Sequence, residues 1–341
     1  MPKSNGPKFS INDDPRFNDA DAARAFVEAQ RWPNGPICPH CGVEGEAYRI
    51  ESKGASKTRK GLWKCAACRE QFTVTVGTIM EDSHIPLHKW LLAFHLLCSS
   101  KKGMSAHQIH RMIGVTYKSA WFMMHRIRYA MTQEPLSSKL SGVVEIDETY
   151  VGGKFRTPHK ATREWKQREV GEEPPKRRNP VGNKAAVVSV LQRSGRVQST
   201  HVERVTAENL KPIVEQMVCE SAHIMTDSST VLNSVTFGTD RKHDFVNHNE
   251  KEYVRREGDL CITTNGVEGY FATLKRGING VYHHVGKHHL HRYLSEFDFR
   301  YNAREVDDVE RRDLAIQQVG GKRLKYRDSC GNGNQTDEVP F

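Results

Sequence analysis

The spacing of apolar residues changes along this chain, and each change marks a new kind of element. From residue 84 to 135 apolar side chains recur at helical intervals. Trp90, Leu91, Phe94 and Leu97 fall on one stripe, as a period of 3.6 residues places them. From Gly142 the pattern shortens: Val143-Val144-Glu145-Ile146 reads as a half-buried strand that runs into Asp147. Ala185 to Leu191 and Val197 to Val202 are β-rich and are joined at Ser194-Gly195. A helical stretch from about Thr206 to Cys219 follows, and then a short apolar strand, Ala222 to Thr226, that runs into Asp227. A helix beginning near Thr264 carries Glu268. Near the start, Asp19 to Arg31 reads as a short amphipathic helix anchored by Phe26 and Val27.

These patterns divide the chain into five segments. Residues 1–35 form an N-terminal arm and short helix, 36–80 hold paired cysteines among short strands, and 84–135 are helical. Residues 142–304 alternate strand and helix, and 305–341 read as a polar C-terminal tail that turns Gly-rich after Tyr326. Residues 154–184 interrupt the fourth segment with ten basic and four acidic residues, the composition of a long surface loop able to touch DNA.

The cysteines change the picture of the second segment. Cys38-Pro-His-Cys41 and Cys65-Ala-Ala-Cys68 are separated by 23 residues, so each pair brings two thiolates to one tetrahedral ion while the residues between supply a ribbon of strands. Structural Zn²⁺ is the reading; a disulfide or a redox pair is the alternative, and a reducing cytosol and the second copy of the motif argue against both. His40 lies inside the first knuckle and reads as a loop residue, since four sulfurs complete the ligand set. Cys98, Cys219, Cys261 and Cys330 have no partner at ligand spacing.

Ser105 to Gly114 followed by Val115 to Arg128 reads as helix, Gly-containing turn, helix, with Ser105 and Thr116 as N-caps. In a helix-turn-helix the second helix enters the major groove and its early residues meet base edges. Tyr117, Lys118 and Ser119 are then the readers, with Arg126 and Arg128 near phosphates; the alternative is an ordinary helical hairpin. Ile113, Trp121, Phe122 and Ile127 are core residues under either reading. Charge favours the DNA reading: the net charge is +10, and Lys101 to Arg128 holds six Lys or Arg with no Asp or Glu. No run approaches 18 apolar residues and MPKSNGPKFS lacks an apolar core, so a soluble protein without a membrane partner is expected.

Asp147, Asp227 and Glu268 sit on strand, strand and helix, the order in which a ribonuclease H-like fold delivers metal-binding carboxylates to one edge of its sheet. Asn265 and Lys275 share the helix face of Glu268 by their spacing. The fold class is therefore multidomain α+β: a small zinc ribbon, a helical helix-turn-helix-like segment and a ribonuclease H-like α/β domain. Glu148, next to Asp147, should point to the other strand face and play a structural part.

The run NGVEGYFATLKRGINGVYHHVGKHHLHRYLSEFDFRYNAR, with EIDETYVGGK upstream, resembles the DDE transposases of bacterial insertion sequences. The resemblance is to the branch that carries a zinc ribbon ahead of an ISXO-like catalytic domain, and it extends from RWPNGPICPHCG to RYNAR near residue 304. It implies that Asp147, Asp227 and Glu268 are the catalytic acids, holding Mg²⁺ or Mn²⁺, with Lys275 as the basic residue that follows. Members of the branch also use Asn at the third position, where Asn265 is the candidate here. Thr263 departs from the pattern, standing where a His often precedes the Thr-Asn pair. The implied partners are double-stranded DNA, both element ends and target, and further copies of the chain on that DNA, in the bacterial cytoplasm at the nucleoid. Two other readings share these residues: a zinc-ribbon and helix-turn-helix regulator without catalysis, and a ribonuclease H-like nuclease that cuts without joining.

Overall fold

Five of the described α-helices begin where a short polar side chain accepts from a first free backbone amide. Asp19, Ser105, Thr116, Thr206 and Asp307 each hold that position, accepting from an amide two or three residues on. The computed structural model describes residues 10–51, 59–132, 139–152, 184–236, 241–258 and 260–329. They belong to two compact units, Met1–Gln133 with Ser295–Phe341, and Glu134–Leu294. The basic loop up to residue 183, Cys330 and the end of the tail lie outside the described residues.

In the first unit, α1 (Ala20–Arg31) precedes an antiparallel ribbon of β1 (Ala47–Arg49), β2 (Trp63–Cys65) and β3 (Gln71–Phe72), in that spatial order. Three helices follow, α2 (Leu87–Ser99), α3 (Ala106–Ile113) and α4 (Tyr117–Ala130). Gly114, at φ 63°, makes the turn between α3 and α4 in the left-handed region that a Cβ disfavours. The stripe of Trp90, Leu91, Phe94 and Leu97 is buried with Ile109, Ile113, Met123 and Ile127. Trp121 and Phe122, core residues by sequence, are only half-buried and meet Tyr326 edge-on.

The segment that reads as a tail contributes to this core. A helix, Asp308–Gln317, lies within it, and Ala315, Ile316 and Val319 are buried among the residues of α2 and α4. Apolar periodicity misses this helix because one of its buried positions is an arginine. Arg312 is 1% exposed, and its guanidinium lies over the rings of Phe17 and Phe26.

The second unit is built on a five-stranded sheet: β4 (Val143–Val151), β5 (Ala185–Gln192), β6 (Val197–Val202), β7 (His223–Asp227) and β8 (Lys242–Val246), in the order β6-β5-β4-β7-β8. The β4–β5 and β5–β6 pairs are antiparallel, whereas β4–β7 and β7–β8 are parallel. This mixed topology is ribonuclease H-like. Strand alternation sends Val144 and Ile146 into a cluster with Val188, Val190 and Ile224, closed by Leu210 and Val214 of α5 (Ala207–Met217) and Leu232 of α6 (Thr230–Thr236). A short hairpin of β9 (Arg255–Glu257) and β10 (Leu260–Ile262) leads into α7 (Asn265–Gly277), which packs against β4 and β5.

Two residues expected near DNA phosphates belong instead to the interior of the first unit. Arg126 is 6% exposed and donates to the backbone carbonyls of Glu81 and Leu324. The Arg128 side chain is 2% exposed, and its Nε lies 2.6 Å from Glu296 Oε2, while Arg300 pairs with the other oxygen of the same carboxylate. Both arginines are buried on α4, where backbone carbonyls for Arg126 and a carboxylate for Arg128 take the place of solvent. Removing one member of such a pair strands a buried charge. We predict that Arg128→Ala lowers unfolding free energy by about 3–5 kcal/mol in a urea titration. A variant of wild-type stability with weakened DNA binding would return Arg128 to the DNA interface.

Candidate active site and metal centres

The carboxylates meet where β4 and β7 run side by side. Their parallel pairing runs from Val143–His223 to Glu145–Met225, which carries Asp147, in the middle of β4, alongside Asp227 at the end of β7. A backbone amide meets each of them: Glu148 N donates to Asp147 Oδ1 at 2.7 Å, and Ser229 N donates to Asp227 Oδ1 at 2.9 Å. One carboxylate oxygen from each of Asp147, Glu148 and Asp227 lies within 4.8 Å of the others. Glu148 thus joins the acids from which strand alternation was expected to separate it. Beyond Glu145 the β7 side of β4 is no longer paired, so the Glu148 carboxylate reaches Asp227 past the strand edge. Its Oε2 is buried and, among the described residues, has no hydrogen-bond partner.

Burial penalises charge here and proximity compounds it. Desolvation, with the Asp227 charge second, pushes the Asp147 carboxyl up to about 8. Glu148 is raised for the same two reasons in the same order. Close carboxylates in a low-dielectric setting favour either a proton or a cation between them. An orphaned carboxylate oxygen and an all-oxygen donor set fit a hard divalent cation such as Mg²⁺ or Mn²⁺.

Glu268, Asn265 and Lys275 are all exposed on α7. Glu268 stands outside the three-carboxylate group, although its charge contributes to raising Asp147. Its Oε1 accepts from the Thr264 hydroxyl at 3.0 Å and lies 3.7 Å from His248 Nε2. His248 is in turn set edge-on to Tyr253. Asn265 opens the helix, its amide donating to Thr263 Oγ1, and Lys275 lies in the last turn. Spacing along the chain held no sign of His248 or of the Thr264 contact.

The four thiols of the ribbon also converge. Cys38 Sγ lies 3.6 Å from Cys68 Sγ, and Cys41 Sγ lies 3.6 Å from Cys65 Sγ. Two sulfurs bound to one tetrahedral zinc are about 3.8 Å apart, far beyond a disulfide bond. Both knuckles close in the same way. The amide of Gly42 donates to the Cys38 carbonyl, the amide of Arg69 donates to that of Cys65, and each donor has positive φ, 76° and 63°. Backbone donors, the Cys68 amide first, pull the Cys65 thiol down to about 7, which favours the thiolate a metal needs. His40 is exposed and outside the cluster.

Of the helix-turn-helix readers, Tyr117 and Lys118 are exposed and Ser119 is half-buried. Tyr117 stacks on His107 at 4.2 Å, Lys118 Nζ lies 4.5 Å above the Tyr326 ring, and the Ser119 amide is held by the Thr116 cap.

Residues 139–302 match the ISXO2-like transposase domain, and residues 18–71 match the transposase zinc-ribbon domain. The chain thus carries an ISXO2-like transposase domain behind a transposase zinc ribbon. The first match contains every acid described above, and the second contains all four ribbon cysteines. An uncharacterized protein in transposable element ISH50 of Halobacterium salinarum is 25% identical over 275 residues, spanning 79% of this chain and 86% of that protein. No solved structure matches the chain. Among the described residues no helix is long and apolar enough to cross a membrane.

The Asp147 shift gives this protein a measurable pH dependence. A carboxyl raised from 3.8 to about 8 binds its proton more tightly in the fold than in the unfolded chain. Its contribution to stability is complete below about pH 4 and is lost as pH rises through about 8. With a chelator present, we predict a melting midpoint that declines across that range. Asp147→Asn, which has the same shape without the charge, should flatten the decline. A slope unchanged in that variant would remove Asp147 as its source.

Proposed function

We propose that this protein is a DNA transposase that binds the terminal inverted repeats of its own element, cleaves to free a 3′ hydroxyl and joins that hydroxyl to target DNA. The observation that carries the reading is the Asp147–Glu148–Asp227 cluster on adjacent strands of a ribonuclease H-like sheet, in a chain matched by transposase domains. A regulator without catalysis leaves these half-buried, clustered carboxylates without a purpose. A nuclease that does not join shares every acid, and joined products separate it from a transposase.

Asp147, Glu148 and Asp227 hold Mg²⁺ or Mn²⁺, and Glu268 completes the site from the helix side. Metal held there would supply activation of the attacking oxygen and charge neutralisation at the leaving oxygen of a phosphoryl transfer. Water is the nucleophile in cleavage and the 3′ hydroxyl in joining. The Thr264 hydroxyl fixes the orientation of Glu268. Asn265, one turn earlier on α7, orients a water or a phosphate oxygen, and Lys275 holds a phosphate as a compact point charge. Tyr117 and Lys118 read the element ends, assisted by Ser119. Joining two ends requires at least two copies of the chain, acting on DNA in the cytoplasm at the nucleoid.

The decisive experiment incubates purified protein with element ends and Mg²⁺ and scores nicked and joined products beside end binding. Asp147→Asn and Asp227→Asn should bind ends without cutting them. Glu268→Gln should lose nearly all strand transfer, whereas Asn265→Ala should keep measurable activity, above all with Mn²⁺. Cutting at the wild-type rate by either Asp variant would end the metal-site assignment, and the reverse ranking on α7 would make Asn265 the ligand.

The ribbon supplies a separate test. One Zn²⁺ per chain should be found by metal analysis, bound by Cys38, Cys41, Cys65 and Cys68. Zinc binding of about 10–16 kcal/mol in such sites is folding energy, so Cys65→Ser should lose both the ion and the ribbon structure. Protein purified without chelator that contains no zinc would refute the assignment.

A further inference from the structure

We infer that Glu145, which the reaction itself does not use, is a positioning residue that fixes the start of α7 against the strand carrying Asp147. This inference rests on the metal-site reading above and extends it to a residue two positions before Asp147. The Glu145 side chain is 2% exposed, and a carboxylate so deeply buried is tolerated only when its oxygens are occupied. They are. Oε1 accepts from Arg193 Nε at 3.0 Å and Nη2 at 2.9 Å, and Oε2 accepts from the backbone amide of Val267 at 3.0 Å.

The start of α7 needs that acceptor. Thr264 holds the N-cap position but makes no capping bond among the described residues, and its hydroxyl donates to Glu268. The free amide of Val267, in the first turn, is therefore met by a carboxylate from a different element, which also complements the positive end of the helix dipole. Arg193 completes the clamp from the β5–β6 turn. Besides Glu145, its guanidinium donates to the carbonyls of Cys261 at 2.7 Å and Thr263 at 3.2 Å. The clamp thus grips the chain at Thr263 and again at Val267. Between these grips lie Thr264, which orients Glu268, and Asn265.

Gly266 is the residue that lets the carboxylate come so near. A Cβ there would lie 2.6 Å from Glu145 Oε2 and 3.2 Å from both Cδ and Oε1. Gly269, on the same helix, has nothing within 4 Å of where its Cβ would be. The two glycines therefore form a matched pair of probes. Alanine at 266 displaces the clamp, and alanine at 269 alters the helix without touching it.

The test uses the full chain in four variants, Gly266→Ala, Glu145→Gln, Gly269→Ala and Asp147→Asn. Circular dichroism reports the fold, Mn²⁺ titration without DNA reports the metal site, and strand-transfer rate is measured beside affinity for element ends. Losing a residue that supports metal ligands typically weakens metal affinity about ten- to hundredfold. That loss is expected for Gly266→Ala and Glu145→Gln, with a matching fall in strand transfer and unchanged end affinity. Gly269→Ala should behave as wild type. Wild-type Mn²⁺ binding and strand transfer in Gly266→Ala and Glu145→Gln, with both lost in Asp147→Asn, would overturn the clamp alone. Equal impairment of Gly266→Ala and Gly269→Ala would also overturn it, by showing that any added methyl on α7 is harmful. Asp147→Asn that still binds Mn²⁺ and cuts would bring down the metal-site reading and the clamp with it.

Discussion

Parallel pairing of β4 with β7 is the constraint on which the second unit depends. It lasts only from Val143–His223 to Glu145–Met225, yet it decides that Asp147 and Asp227 end up side by side. That placement is electrostatically unfavourable, because like charges gather where burial already penalises the charged form of Asp147. The sheet sustains it with apolar contact on one face, where Val144, Ile146 and Ile224 pack beneath α5 and α6. At the site itself, backbone amides at Glu148 and Ser229 supply part of the positive potential that ionised carboxylates need.

Charge in the interior is handled in the same way elsewhere. Glu145 is surrounded by donors from Arg193 and α7, and in the first unit Glu296 is gripped by Arg128 and Arg300. Such groups gain little over a well-packed apolar core, but losing one partner is expensive. They therefore tie together elements far apart in sequence with a directional contact. Arg312 adds a third form, a guanidinium laid over two phenyl rings.

The ribbon solves a different problem. Its strands are two or three residues long, too short to hold a sheet by pairing and burial alone. Four converging thiols add to the burial of Phe72 and Val74 in the core of the first unit, and the matching amide bonds to the Cys38 and Cys65 carbonyls preset both loops for them.

What the chain alone determined was local. Two CxxC pairs, capping side chains at helix starts, the stripe on α2 and the strands running into Asp147 and Asp227 were all legible, because period and spacing follow from backbone geometry within a few residues. The ribonuclease H-like order of elements was legible for the same reason. Tertiary structure decided which charged residues would be interior. Arg126 and Arg128 read as phosphate contacts because helical spacing cannot distinguish a solvated basic face from a buried one, and the partner of Arg128 lies 168 residues away. Glu145 meets its helix 122 residues downstream. Glu148 joined the acids because β4 loses its neighbour just where the site begins, and the 308–317 helix was hidden by an arginine occupying an apolar position. In each case the deciding quantity was desolvation of a charge, which depends on what the rest of the chain brings alongside it and leaves no local periodicity to read.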